Sequence, residues 1–324
     1  MPTRRHLIAL SAASVFAPSL LRAARAGAWP DRAVHLVVPI AAGGPTDTNA
    51  RLVAEQLSKI WGQQVVIDNK SGAGTNIGNA FVAHSDADGY TLLYGTSSMS
   101  ANGALYRALD YNPEADFAPI SLVAKFPFFM FVPNSSPAKT VKDFIDDAKA
   151  HPGRLIMGSP GTGSGPHLAE ALFLDMANIK MTHAPYRGAA PAFVDLIPGR
   201  IDCYFGSGEL LTFSRSGQVR VLASTGAKRS PAAPEVPTVT ESGVPGYVVD
   251  SWQAIFAPAK TPPDIVRTVN AGVVKALAEP SLVDKLAHTA YAAESSSPDE
   301  LAKFLKTDTA KWKAVIKSTG LKID

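Results

Sequence analysis

Cysteine is nearly missing from this 324-residue chain: Cys203 stands alone. A single thiol cannot close an intramolecular disulfide or build a cysteine-based metal cluster. Its setting, the apolar run "RIDCYFG", assigns it to the core. After residue 21 no apolar run approaches the roughly 18 residues needed to cross a bilayer. The glycine-rich stretch 41–48, "AAGGPTDT", lacks the lysine that a phosphate-cradling G-x-x-x-x-G-K-[ST] loop requires. Gly72, Gly74 and Gly78 are spaced G-x-G-x-x-x-G, one residue off the dinucleotide fingerprint, and no acid follows at the distance of a ribose contact. Ser159, Ser164 and Ser207 each lack the flanking glycines of a nucleophile elbow. The histidines beyond residue 28 form no H-x-x-x-H pair and have no acids clustered beside them. No catalytic set, no cofactor and no metal site are therefore expected.

What is present begins with an export signal. Arg4-Arg5 precedes a mostly apolar run from Leu7 to Leu21, and Ala24-Arg25-Ala26 and Ala26-Gly27-Ala28 both offer small-x-small cleavage sites. This predicts a signal over residues 1–28, cut near Ala26 or Ala28, and a periplasmic mature chain. "TRRHLIAL" fits either the twin-arginine or the general export route. Loss of residues 1–26 shifts the charge from 31 basic against 28 acidic residues to 27 against 28, because that segment carries four arginines and no acid. The basicity thus belongs to the signal, no basic stripe with interleaved aromatics remains, and nucleic acid is not expected as a partner.

From Ala33 onward, strand-like and helix-like segments alternate. "VHLVV" precedes a helical stripe at Ala50, Val53, Ala54, Leu57 and Ile60; "QVVID" precedes a helix carrying Ile77, Ala80 and Phe81; "TLLYGT" follows. The same order restarts at "RLIMGS", with helical positions Leu168, Leu172, Met176 and Ile179, then "KMTHAPY", "AFVDLI", "GRIDCYFGS" and "QVRVLAST". Such alternation predicts an α/β fold with parallel strands. Two such units joined by two extended stretches predict two lobes with a cleft: residues 29–128 and 252–324 in lobe 1, and 129–251 in lobe 2. The C-terminal part is punctuated by "TPPD", with Thr261 as the expected cap, and by "SPDE", with Ser297 capping a helix that stops at Gly320.

Four loops join strand to helix, at 41–48, 70–78, 160–167 and 187–191. Parallel sheets present such loops at the carboxyl ends of their strands, where ligands bind. Glycine admits close approach of the main chain, and the first N–H groups of a helix lack internal acceptors and favour an anion. Lys70 and Arg187 stand only at the margins, so a small carboxylate suits these loops better than a phosphate ester. In the first loop the candidate contacts are Ile40, Gly43, Gly44, Thr46 and Asp47. Asp47 is either a helix-start acid ordering the loop or a contact to a ligand ammonium, since beside a carboxylate it would repel. The second loop offers Ser71, Gly72, Ala73, Thr75 and Asn76, and the third strand ends in Thr96 and Ser97. Across the cleft stand Gly161, Thr162, Ser164 and His167, with Tyr186, Gly188 and Ala189 after the next strand.

Seven segments together, "VVPIAAGGPTDTNAR", "VVIDNKSGAGTNIG", "DADGYTLLYG", "GSPGTGSGPHLAE", "HAPYRGAAPAFVDLIPGRID", "VRVLASTGAKRSPAAPEVPTVTESG" and "FAPAKTPPDIV", resemble the solute receptors of the tripartite tricarboxylate transporter family, also called the Bug family. They run in family order over essentially the whole chain after the signal. The resemblance implies a periplasmic-binding-protein fold with two α/β lobes, two interlobe crossings and a ligand cleft. It further implies a monomer that captures a small carboxylate and delivers it to a two-subunit membrane permease. The family usually has an aromatic where Ile40 stands, which would alter the pocket wall. Two other functions fit the residues: an exported α/β enzyme using Asp47 and His167 on a carboxylate, and a receptor that presents ligand to a signalling protein.

Overall fold

The computed structural model describes residues 29–322; the export segment assigned above lies outside the described residues. β1 (Val34–Val38) leads into α1 (Pro45–Trp61), β2 (Val65–Asn69) into α2 (Asn76–Ala83), and β3 (Thr91–Thr96) into α3 (Met99–Leu105). Two strands, β4 (Phe117–Pro127) and β5 (Phe129–Pro133), then follow almost without a break, and α4 (Val141–Ala150) comes after them. The strand–helix order restarts with β6 (Ile156–Ser159) and α5 (Gly165–Ala177), β7 (Thr182–Pro185) and α6 (Ala189–Leu196), β8 (Cys203–Gly206) and α7 (Leu211–Arg215), and β9 (Val219–Ser224). β10 (Asp250–Pro258), α8 (Pro263–Leu277), α9 (Pro280–Ala287), the short β11 (Ala292–Ala293) and α10 (Pro298–Thr319) complete the chain.

The strands form two sheets, one in the order β11-β4-β10-β3-β1-β2 and one in the order β7-β6-β8-β5-β9. β1 pairs in parallel with both β2 and β3, and β6 with both β7 and β8, so the glycine loops of each sheet emerge at one end. β10 and β5 enter their sheets antiparallel. This is the mixed α/β, two-lobed arrangement that the alternating pattern predicts. Val34, Leu36, Val37 and Val38 are all fully buried, as expected of a parallel strand covered on both faces. α1 turns its predicted stripe of Ala50, Val53, Ala54 and Leu57 inward, starts on Pro45 and ends at Gly62 in the left-handed conformation. Cys203 is buried in the core.

The chain passes between the sheets at 127–129 and again at 249–250, where Asp250 pairs with Pro127. One buried residue fastens both crossings. Thr225 Oγ1 accepts from Phe128 N at 2.8 Å and donates to Val249 O at 2.6 Å. Its own backbone bonds both segments as well, at 2.9 and 2.8 Å. α10 packs on α3 and β4, and its end reaches α5, where Ser318 Oγ lies 3.4 Å from Asp175 Oδ2.

Ser297 and Glu300 form the reciprocal capping pair at the start of α10, and Gly320 ends it at φ 68°. Thr261 does not cap α8: Pro262 holds the cap position, and the buried Thr261 Oγ1 has no partner. The "TPPD" pattern misleads because its second proline, not its first, opens the helix. Ile77 and Phe81 also depart from expectation. The outer face of α2 leaves them exposed, with Lys70 Nζ 4.0 Å above the Phe81 ring.

Candidate functional site

The first loop of lobe 1 is held by its own acid. Asp47, on the first turn of α1 and 3% exposed, accepts from Gly43 N at 2.9 Å and Arg51 Nε at 2.9 Å on one oxygen. Its other oxygen accepts from Asn69 Nδ2 at 2.9 Å, and that same amide reaches Ile40 O at 3.0 Å. Burial opposes ionisation here, but the bonds from Arg51, Gly43 and Asn69 outweigh it and hold the carboxyl below its ordinary range. Both carboxylate oxygens thus brace the loop from within. Gly43 takes φ 86°, which favours glycine, and stands exposed beside Ala41 and Ala42. Gly44 precedes Pro45, so the loop enters α1 with N–H groups that have no helical acceptor. The Ile40 side chain packs against the core and is only partly buried.

Behind this loop sits Gln253, a fully buried polar residue of β10 that the sequence reading passed over. Its Nε2 donates to Thr46 Oγ1 at 3.3 Å, and its Oε1 accepts from Tyr94 Oη at 2.8 Å and Asn49 Nδ2 at 3.4 Å. A glutamine inside "DSWQAIFAP" was the available signal, because a buried amide needs a designated partner.

In the second loop Ser71, Gly72 and Ala73 are exposed, whereas Thr75 and Asn76 are buried. Thr96 Oγ1, at the end of β3, is buried without a partner. Ser97 Oγ lies 2.9 Å from Ser251 Oγ on the returning crossing. Ser97 is also where the lobes meet: a Cβ added to Gly165 at the start of α5 would lie 3.2 Å from Ser97 Oγ and 3.0 Å from the Phe128 ring.

The corresponding glycine loop of lobe 2 is built from neutral groups. Ser164 caps α5, accepting from His167 N at 3.4 Å. His167 Nδ1 accepts from Gly163 N at 3.0 Å, which fixes the remaining ring proton on Nε2. The ring stacks on His183 at 4.0 Å, and His183 Nε2 lies 2.7 Å from Ser159 Oγ. Burial, and then the neighbouring His183, push the His167 pKa down to about 3, so the imidazole is neutral. Gly161 and Thr162 are half-buried. Gly188 N donates to Pro160 O at 3.0 Å, which places the 186–189 loop against the 160–165 loop. The Tyr186 hydroxyl points away from that junction, donating to Asp195 at 2.9 Å. Ala189 opens α6 behind Gly188, which takes φ 116°. A third loop of lobe 2, Ser207–Glu209 at the end of β8, was not anticipated. A Cβ on Gly208 would fall 2.4 Å from Ala290 Cβ, so this loop abuts lobe 1.

The candidate residues offer main-chain N–H groups and hydroxyls from both lobes, and none of them is a lysine or an arginine. The proposed acid–base partners Asp47 and His167 are each engaged within their own loop. Among the described residues no group of three or more His, Cys, Asp or Glu could hold a metal ion, and no helix is long and apolar enough to cross a membrane. A cavity of about 480 Å³ opens on the far side of the stacked His167–His183 pair, along edge strand β7 between α5 and the end of α10, and both rings line it.

Residues 49–321 match the model of the tripartite tricarboxylate transporter family receptor. Among solved structures, R. palustris Rpa4515 with adipate is 38% identical, with a TM-score of 0.85 over 90% of this chain and 98% of that one. The periplasmic binding protein BugD is 31% identical, with a TM-score of 0.84 over 91% and 99%. MatC (Rpa3494) from Rhodopseudomonas palustris with bound malate is 32% identical, with a TM-score of 0.82 over 89% and 99%.

Proposed function

The chain belongs to the tripartite tricarboxylate transporter receptor family, also called the Bug family, and on that premise we propose that it captures a small carboxylate between its two lobes in the periplasm, after removal of its export signal. It then delivers the ligand, unaltered, to a two-subunit membrane permease, acting as a monomer. The observation that carries this reading is the meeting of Gly165 with Ser97 beside two crossings fastened by Thr225. Loops of both lobes converge there, and a ligand that touches both can stabilise the closed form over the open one.

The donors fit a carboxylate. Helix-start N–H groups and hydroxyls bind an oxyanion without the fixed charges that polyphosphates need. The contact set proposed for it is Ile40, Gly43, Gly44 and Thr46 from the first loop, and Ser71, Gly72, Ala73, Thr75 and Asn76 from the second. Thr96 and Ser97, then Gly161, Thr162 and Ser164, then Gly188 and Ala189 complete it. Asp47, His167 and Tyr186 serve by holding these loops. Adipate and malate, present in two relatives, are the first ligands to try.

Calorimetric titration of the mature protein with dicarboxylates, tricarboxylates, amino acids and aromatic acids tests the reading. The expected result is at least one acid bound near micromolar affinity, about −8 kcal/mol, recovered unchanged afterwards. Binding of none, or recovery of a converted acid, defeats the proposal. Loss of uptake in a strain lacking the gene, with transcription unchanged, favours delivery to a permease over signalling.

A further inference from the structure

A closed group of polar side chains lies behind the second loop of lobe 1. Thr75, Asn76, Asn79, Asn102 and Tyr111 are all buried, Asn79 and Asn102 completely. Asn102 Nδ2, from α3, donates to Asn76 Oδ1 at 2.7 Å and to Thr75 Oγ1 at 3.3 Å. Tyr111 Oη, from the segment before β4, donates to the same Asn76 oxygen at 2.6 Å. Asn79 Nδ2 reaches Tyr111 Oη at 3.1 Å and Thr75 Oγ1 at 3.2 Å. Yet Asn76 Nδ2, Asn79 Oδ1 and Asn102 Oδ1 are buried with no hydrogen-bond partner. An apolar filling of the same space would be the cheaper way to stabilise the lobe.

The backbone in front of this cage is strained. Ala73, Gly74 and Thr75 follow one another at φ 46°, 59° and 85°. The left-handed region disfavours any residue with a Cβ, and a β-branched one most of all. Such conformations persist only where surrounding structure over-determines them. Thr75 Oγ1, receiving bonds from Asn79 and Asn102, supplies that hold. From the other side Tyr106 closes over the turn, since a Cβ on Gly74 would fall 2.2 Å from its hydroxyl.

We propose that Asn79, Asn102 and Tyr111 are positioning residues for ligand capture: through Thr75 and Asn76, whose own N–H groups close the turn on Gly72 O and Ala73 O, they fix it so that the main-chain N–H groups of Gly72, Ala73 and Gly74 face the carboxylate. The inference rests on the receptor reading above. It also links two loops, because α3, which carries Asn102, begins just after Ser97, the residue that meets lobe 2. Asn79, Asn102 and Tyr111 therefore set the second loop relative to the point of closure without themselves touching ligand.

The test compares wild type with Tyr111→Phe, Asn102→Ala, Asn102→Gln and Ala73→Gly. Each is titrated with the panel acid that wild type binds most tightly, adipate and malate included, well below its melting temperature. Ligand-free melting is measured alongside. Tyr111→Phe and Asn102→Ala are expected to weaken binding about tenfold at a temperature where both are folded, with Asn102→Gln recovering part of the loss. Ala73→Gly, which relieves one strained residue, is expected to melt no lower than wild type and still to bind several-fold more weakly. A purely structural cage lowers melting but leaves the dissociation constant of the folded protein unchanged, and that outcome overturns the proposal. Wild type binding no member of the panel removes the receptor reading and this inference together, whereas wild-type binding with unaltered variants removes the inference alone.

Discussion

The first glycine loop of each lobe is held by opposite means. In lobe 1 a glycine turn is held by an ionised carboxylate, Asp47, which Arg51, Asn69 and Gly43 surround. In lobe 2 the corresponding turn is held by an uncharged imidazole, His167, whose Nδ1 receives Gly163 N–H in the way Asp47 receives Gly43 N–H. In each case the holding residue lies four positions after the glycine, so both turns are tied to the first helical turn that follows. The electrostatic consequence differs. Lobe 1 keeps its charge paired over the whole neutral range, whereas lobe 2 stays neutral only because burial keeps a proton off the ring. Response to pH should therefore reside in lobe 2.

Removing the charged clamp is expected to have the largest effect. Asp47→Ala removes the bonds that Gly43 N–H, Arg51 and Asn69 make to the carboxylate and should cost roughly 2–4 kcal/mol of stability, at about 0.5–1.5 kcal/mol for each bond lost. Carboxylate affinity should fall by about 100-fold as the turn loses its shape. Asp47→Asn can still accept from Gly43 and should lose less of both. Titration and thermal melting of the two variants would decide this, and equal affinity in Asp47→Ala would break the comparison at its first term.

Acid should strike the other lobe. The His167 pKa is pushed down to about 3 in the folded state from 6.5. The unfolded chain therefore binds a proton across that window which the folded chain does not, and stability falls as pH drops from 6.5 toward 3. By pH 4 the loss should approach about 3 kcal/mol at most, at about 1.4 kcal/mol per pKa unit. Asp47 adds little above pH 4, because its carboxyl lies below its ordinary range. Denaturation of wild type and His167→Gln at pH 7 and pH 4.5 isolates the term. The variant should start less stable and lose less on acidification, while an unchanged slope would place the acid response elsewhere.

Much of this contrast was legible in the residues and part was not. Alternation of apolar strands with capped helices revealed both sheets, and "AAGGPTD" with "PGTGSGPH" marked both turns, because glycine, proline and cap chemistry act over a few neighbouring positions. Asp47 carried two readings in the sequence; its bond from Gly43 N–H is local, but its second brace comes from Asn69, 22 residues away. Gln253 meets Thr46 across 207 positions and Asn102 meets Asn76 across 26. Pairings of that kind follow from sheet order, which no local pattern encodes. Thr261 failed as a cap for the opposite reason: the local pattern was ambiguous between two prolines, and the turn geometry chose the second.

The smallest effect should come from Glu209, whose sign opposes that of His167 within the same lobe. Its side chain lies in the turn after β8, where Gly208 meets Ala290, and Oε2 is buried without a partner. Burial lifts the carboxyl to about 7, and the bonds from its own N–H and from Ser207 compensate only in part. The neighbouring phenols, Tyr204 and Tyr291, are themselves pushed up by burial and supply no charge below pH 10. Between pH 4.5 and 7 the folded chain thus holds a proton that the unfolded chain has released, so this contribution is complete below 4.5 and is lost as pH rises through 7. Glu209→Gln keeps the shape and removes the titration. It should melt close to wild type at pH 5 and gain about 1–2 kcal/mol over it at pH 8.5, since ionised Glu209 would draw some relief from Ser207. Equal differences at the two pH values would show that Glu209 does not change charge on folding. The alkaline edge of stability, and the term opposing His167, would then belong to another buried carboxyl such as Glu170, which burial also pushes well above its ordinary range.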